Sequence, residues 1–171
     1  MEFVYCDVTS YDDNLLLFDA AYHLIGRVDH AISNAGLGEQ GNIIDPSLTL
    51  EDVRKDPSRD VHILDVNLKA SVYFARLASV YLRQPGFDAN HLESAVDKSL
   101  TFTSSVAAFR EGLGLYVYTA SKHGVLGLMR VLRASVILSI HLEVTFVLTV
   151  VPVLSSSRNH TAFARTQSVP V

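Results

Sequence analysis

The chain has 171 residues, 49% apolar and 19% charged, with 14 basic and 18 acidic side chains and a formal net charge of -4. That is material for one domain with a buried core; it excludes a disordered chain and, with Cys6 the sole cysteine, a disulfide-stapled one. No basic block or stripe stands out, so neither nucleic acid nor an anionic membrane surface is an expected partner.

Phe3 to Val8 is a short apolar run with Asp7 near its end. It reads as a buried strand meeting a turn, with Cys6 a small buried hydrophobe rather than a nucleophile. The opening residues have neither a basic segment nor an apolar one of signal-peptide length, and a secretory leader is not expected. Ser10 then precedes YDDNLLLFDAAYHLIG, a helix start with Asp12 and Asp13 in the first turn and Gly26 past the end. Val28 to Ser33 reads as a second strand ending at Asn34, followed by a loop with Gly38, Gly41 and Pro46.

Residues 60–82 have apolar positions at helical spacing and predict one long helix, with Asn67 in its first half. A polar connection runs from Arg83 to Lys98. SLTFTSSV, residues 99–106, is a third strand, Tyr116 to Leu132 a further helix, and LEVTFVLTVV, residues 142–151, a fourth strand. The apolar run from Ala134 to Leu154 contains His141, Glu143 and Pro152, so it reads as a helix end and a buried strand rather than a membrane span.

This alternation predicts an α/β domain whose parallel sheet carries helices on both faces. Ligands of such sheets sit at the carboxyl ends of the strands, so Asp7, Asn34 and Ser105 are expected to line one crevice. The stretch ISNAGLGEQG has Gly36, Gly38 and Gly41 at the spacing of a dinucleotide fingerprint. That fingerprint requires the glycines to open a helix whose N-terminus holds a pyrophosphate. NIIDPSLTL follows instead, with Pro46 inside it, so the informative element is Asn34-Ala35-Gly36.

YVYTASKHGVLGLMR places Tyr118 and Lys122 four residues apart, on one helix face and about one turn from each other. A free tyrosine titrates near ~10 and is a poor acid–base group at neutral pH, whereas an adjacent ammonium favours the phenolate. Tyr116 has no such partner, because Ala120 stands four residues on. Ser105 ends the strand before this helix; Ser104 is the alternative, and strand alternation lets only one of the two face the crevice. The seven histidines show no metal-ligand spacing, and no metal is expected.

On Asp7-Val8-Thr9, Asn34-Ala35-Gly36, Asn67 in DVNLKA, Ser104-Ser105 and Tyr118-Thr119-Ala120-Ser121-Lys122, the chain resembles the short-chain dehydrogenase/reductase family over residues 1 to about 133. The wording YTASKHGVLGLMR looks most like members from fungal secondary metabolism. The resemblance implies that Tyr118 exchanges a proton with a carbonyl or hydroxyl oxygen. Lys122 would favour the tyrosinate and bind the nicotinamide ribose, Ser105 would hold the substrate oxygen, and Asn67 would position a relay water. Asp7 and Val8 would contact adenine, and Asn34, Ala35 and Gly36 the adenosine ribose.

The implied fold is a partial Rossmann-like, doubly wound parallel sheet beginning at the family's third strand. The first β-α-β unit, its glycine-rich phosphate turn and the residues that choose between NAD and NADP are then missing, and the chain diverges after Arg133. Residues 1–154 form the expected domain and 155–171 a loose tail. The implied activity is a cytoplasmic, NAD(P)-dependent oxidoreductase interconverting a ketone and a secondary alcohol, with NADP ranked ahead of NAD. Its expected partners are that small molecule and, optionally, further copies of the chain. The alternative is an inactive relative acting as an interaction protein.

Overall fold

A computed structural model describes residues 2–86 and 98–134 and the backbone of 142–149. The expected tail, the connection at 87–97 and the side chains of the last strand lie outside the described residues.

Helix α1 spans Tyr11–Ile25. Ser10 caps it, accepting from the Asp13 N–H at 3.2 Å while its own hydroxyl donates to Asp13 Oδ1 at 2.9 Å. This reciprocal lock, with Asp12 and Asp13 set against the positive end of the helix, is why the chain turns helical here. Gly26 ends it in the left-handed region at φ 82, its N–H reaching Tyr22 O. Asn14, on the inner side, ties the incoming chain to the helix through Val8 O at 2.9 Å and Ser10 O at 2.6 Å.

Strand β1, His30–Ser33, follows, then a long irregular segment and the four-residue helix α2, Ser58–Val61. The single helix expected over 60–82 is divided. A widened π turn occupies Asp65–Lys69, closed by the Ala70 N–H on Asp65 O, and the regular helix α3 runs only over Ala70–Tyr81. Periodicity could not show this break, because apolar residues recur at helical spacing on both sides of it. Strand β2, Lys98–Ser105, helix α4, Tyr116–Ala134, and strand β3, Leu142–Thr149, complete the described strands and α-helices.

The three strands are parallel in the order β1-β2-β3, with Ala31 opposite Leu100 and Ser105 opposite Thr149. All three longer helices serve one core: Phe18 of α1, Ala75, Leu77 and Ala78 of α3 and Val125 of α4 cluster with Ala31, Leu100 and Phe102 of the sheet. Strand alternation puts those three sheet residues on a single face. Right-handed crossovers that advance steadily along a sheet leave their helices on that same side. Among the described residues, no helix layer covers the opposite face, and Ile32 there is exposed. Phe18 also packs against Phe74 and Tyr81, with ring centroids 5.0 and 5.2 Å away. Burial and a hydrogen bond to Asp19 push the Tyr81 phenol up to about 12.

The expected buried strand at Phe3–Val8 is not formed. The backbone there is irregular, Phe3 is 88% exposed and Tyr5 79% exposed. The cause is that a strand is a property of pairing: the apolar run favours an extended chain, but no described strand lies beside it. Cys6 is half-buried rather than buried, and burial, then Asp13 and Asp7, pushes its thiol up.

Candidate active site

Four chain segments converge at the carboxyl side of β1 and β2. The first is α4. Tyr118 and Lys122 are both buried, and the Lys122 ammonium lies 5.7 Å from the centre of the Tyr118 ring. One N–H of Lys122 donates to the Thr103 carbonyl of β2 at 2.9 Å. Lys122 is only 4% exposed, and this desolvation depresses its basicity. Among the described residues Thr103 alone accepts from it, and an ammonium has three donors, so two remain for a bound molecule.

The second segment is the end of β2. Ser104 and Ser105 are both buried but differ in task. Ser104 donates to the Lys122 carbonyl at 3.1 Å and so fixes strand to helix. Ser105 accepts from the Ala107 N–H at 3.2 Å, which leaves its hydroxyl proton to be directed elsewhere. Ala107 in turn packs with Val117, Ile63 and Tyr118. The two serines therefore divide as strand alternation requires.

The π turn provides the third segment. Asn67, 1% exposed, is held by its side chain on three sides. Its Nδ2 donates to Leu37 O and to Ser121 Oγ, both at 3.0 Å, and its Oδ1 accepts from the Leu37 N–H at 2.8 Å. Its backbone carbonyl accepts from Ser71 Oγ at 2.7 Å. Asn67 thus clamps the fourth segment, the loop after β1, in both directions. In that loop Asn34 accepts from Thr103 Oγ1 at 2.8 Å. Gly36 is a close approach: a Cβ there would stand 3.1 Å from Asn67 Oδ1 and 3.5 Å from Lys122 Nζ. The backbone passes beside a buried ammonium with little room for a side chain.

Of the expected residues, Asn34, Gly36, Asn67, Tyr118 and Lys122 are joined in this one network, and Ser105 stands at its edge. Ala35 links Asn34 to Gly36 and is exposed. Asp7 and Val8 are tied elsewhere. Asp7 Oδ1 accepts from the Thr9 N–H at 2.9 Å and Thr9 Oγ1 at 2.8 Å, bonds that hold its carboxyl below its usual value. Val8 gives its carbonyl to Asn14. No direct bond joins Asp7 to Asn34 or Ser105; the bonds of the network run through Asn34, Thr103, Asn67 and the α4 residues. The fingerprint glycines open no helix: residues 34–51 are irregular, as the sequence indicated.

Three participants were not singled out from sequence. Thr103 and Ser121 support Lys122 and Asn67; alternation along β2 and the i+3 position from Tyr118 were the available signals. Glu39, in the loop after β1, receives the N–H groups of Val117 and Tyr118. Among the described residues no group of three or more His, Cys, Asp or Glu side chains is placed to hold a metal.

Known proteins are similar to this chain in sequence and in fold. A family model described as short chain dehydrogenase matches residues 1–142. The short-chain dehydrogenase/reductase ascJ of Acremonium egyptiacum is 36% identical over 124 residues, covering 72% of this chain and 39% of that protein. The 5'-hydroxyaverantin dehydrogenase stcG of Emericella nidulans is 36% identical over 142 residues, covering 77% of this chain and 46% of that protein. The chain therefore spans less than half the length of either curated relative. Among solved structures, a short chain dehydrogenase from Mycobacterium smegmatis superposes with a TM-score of 0.64 at 26% identity, over 85% of this chain and 52% of that one. With a family model matching residues 1–142 and relatives 36% identical over 72% and 77% of its length, the chain belongs to the short-chain dehydrogenase family of oxidoreductases.

Proposed function

We propose that this chain carries the acid–base site of an NAD(P)-dependent oxidoreductase that interconverts a ketone and a secondary alcohol. The observation that supports this most directly is the buried Lys122 ammonium beside Tyr118, with spare donors and a side-chain-free backbone at Gly36 next to it.

These residues fit a nicotinamide cofactor. A polar cradle of Lys122, Asn34 and the Gly36 backbone suits ribose hydroxyls, and Ala35, Asp7 and Val8 would extend it toward the adenosine end. When bound, the cofactor supplies or takes up the hydride; NADP is the first choice and NAD the second. The protein's own residues manage the proton. Tyr118 gives its phenolic proton to the substrate oxygen in reduction and recovers one from the alcohol in oxidation. Lys122 favours the phenolate left behind, because a positive charge held in a dry site acts over short range with little screening. Ser105 donates its free hydroxyl proton to the substrate oxygen. Asn67 keeps the loop, the π turn and α4 in register, and is the residue to hold a relay water.

The fungal relatives support a role in secondary metabolism on a small carbonyl or alcohol. No described helix is long and apolar enough to cross a membrane, and the proposed setting is the cytoplasm.

The test is Tyr118→Phe, followed by the absorbance of reduced nicotinamide against a panel of ketones and alcohols. Loss of the proton donor should lower turnover by at least ~100-fold, with NADPH and NADH binding in fluorescence titration unchanged. Turnover equal to the parent's would remove Tyr118 from the mechanism.

A further inference from the structure

Helix α4 begins without a local cap. The first N–H groups of a helix have no partner within it, and those of the second and third residues are the ones an N-cap side chain normally accepts. Ahead of Tyr116 stand Gly112, Leu113, Gly114 and Leu115, none of which has a side chain that can accept. The acceptors come from far along the chain. Glu39 Oε1 takes the Val117 N–H at 3.2 Å and Oε2 takes the Tyr118 N–H at 2.7 Å, across sequence separations of 78 and 79. A carboxylate at a helix N-terminus is also favoured by the helix dipole.

The same short loop is fixed two residues earlier, where Leu37 is bonded through both its N–H and its carbonyl to Asn67. Leu37 to Glu39 is thus a strap with one end on the π turn and the other on the backbone of the residue that carries the phenol. We propose that Glu39 is a positioning residue for the reaction, acting as the cap of α4 and setting Tyr118 relative to Lys122 and Gly36. Glu39 does not touch the reacting atoms; it acts through the Tyr118 backbone. The proposal rests on the acid–base role given to Tyr118 above.

The first measurement is amide hydrogen exchange on the full 171-residue chain, comparing parent, Glu39→Ala and Glu39→Gln. Loss of a charge-assisted bond should speed exchange at Val117 and Tyr118 by about tenfold or more in the alanine variant. Glu39→Gln keeps one carbonyl oxygen and should restore part of the protection. Val125 and Met129, further along α4, should exchange as in the parent. Unchanged exchange at Val117 and Tyr118 in both variants overturns the proposal. If the alanine variant loosens all of α4, the glutamine variant decides: a loss confined to Val117 and Tyr118 supports it, and a uniform loss overturns it.

The second measurement is steady-state kinetics. In Glu39→Ala, kcat should fall by roughly tenfold or more while KM for the nicotinamide cofactor stays within about twofold, and Glu39→Gln should recover part of kcat. Parent-level kcat despite lost protection overturns the positioning role. Full activity in Tyr118→Phe, by contrast, would refute the acid–base reading and leave the exchange result standing.

Discussion

Asn67→Leu tests whether the π turn is held in place by the loop it grips. Leucine keeps the branched skeleton with two methyl groups in place of the amide oxygen and nitrogen, so the change deletes hydrogen bonds and opens no space. Three side-chain bonds disappear, two to Leu37 and one to Ser121. At about 1 kcal/mol net each, their sum is roughly 3 kcal/mol. Two corrections lower it. Leu37 is 36% exposed, so water can serve its N–H and carbonyl once the amide is gone. Ser121 keeps its own bond to the Tyr118 carbonyl at 2.7 Å. The expected destabilisation is therefore about 2 kcal/mol, with m unchanged because no large surface is exposed. For a small domain with m of about 2 kcal/mol/M in urea, the midpoint should fall by about 1 M. Equilibrium urea unfolding followed by far-UV circular dichroism measures this. A shift below about 0.2 M at constant m would show that the clamp holds nothing.

Ser10→Ala removes both halves of the α1 cap and should cost about 1 kcal/mol in the same unfolding assay, whereas Ser10→Thr, which keeps a hydroxyl able to accept and to donate, should recover most of it. Lys122→Met tests the cost of the buried ammonium. Because folding depresses this lysine below its usual 10.5, the unfolded chain binds more protons between the folded and the ordinary value. The Lys122 contribution to stability therefore rises as pH climbs through that window and is least favourable below it. Parent stability should show this rising alkaline component and the methionine variant should lack it; identical pH profiles would refute the assignment. The methionine variant should also lose turnover without losing its fold.

What could be read from sequence divides by how far the deciding partner lies. The ends of α1 were legible because Ser10, Asp13 and Gly26 settle them among themselves. Tyr118 and Lys122 were legible as a pair because one helical turn is a local distance. The strand expected at Phe3–Val8 failed for the opposite reason: pairing needs a neighbour, and composition does not supply one. The break in the helix at Asp65–Lys69 was hidden because the partner that Asn67 holds there, the Leu37 backbone, is thirty residues away. Glu39 was hidden in the same way. It sat inside a stretch whose glycines drew attention, while the helix it caps lay 79 residues further on.

The widened turn at Asp65–Lys69 makes α3 an element with two competing registers. The ordinary α-helical register would close these residues on themselves, and the bonds of Asn67 to Leu37 and Ser121 favour the other. Loop and turn should then behave as one thermodynamic unit. Gly36→Ala, which crowds Asn67 Oδ1, and Asn67→Leu should be non-additive when combined, since either alone already releases the same restraint. A chain that accepts many changes on the exposed side of α3 should accept few between 34 and 39, although that loop lies largely at the surface.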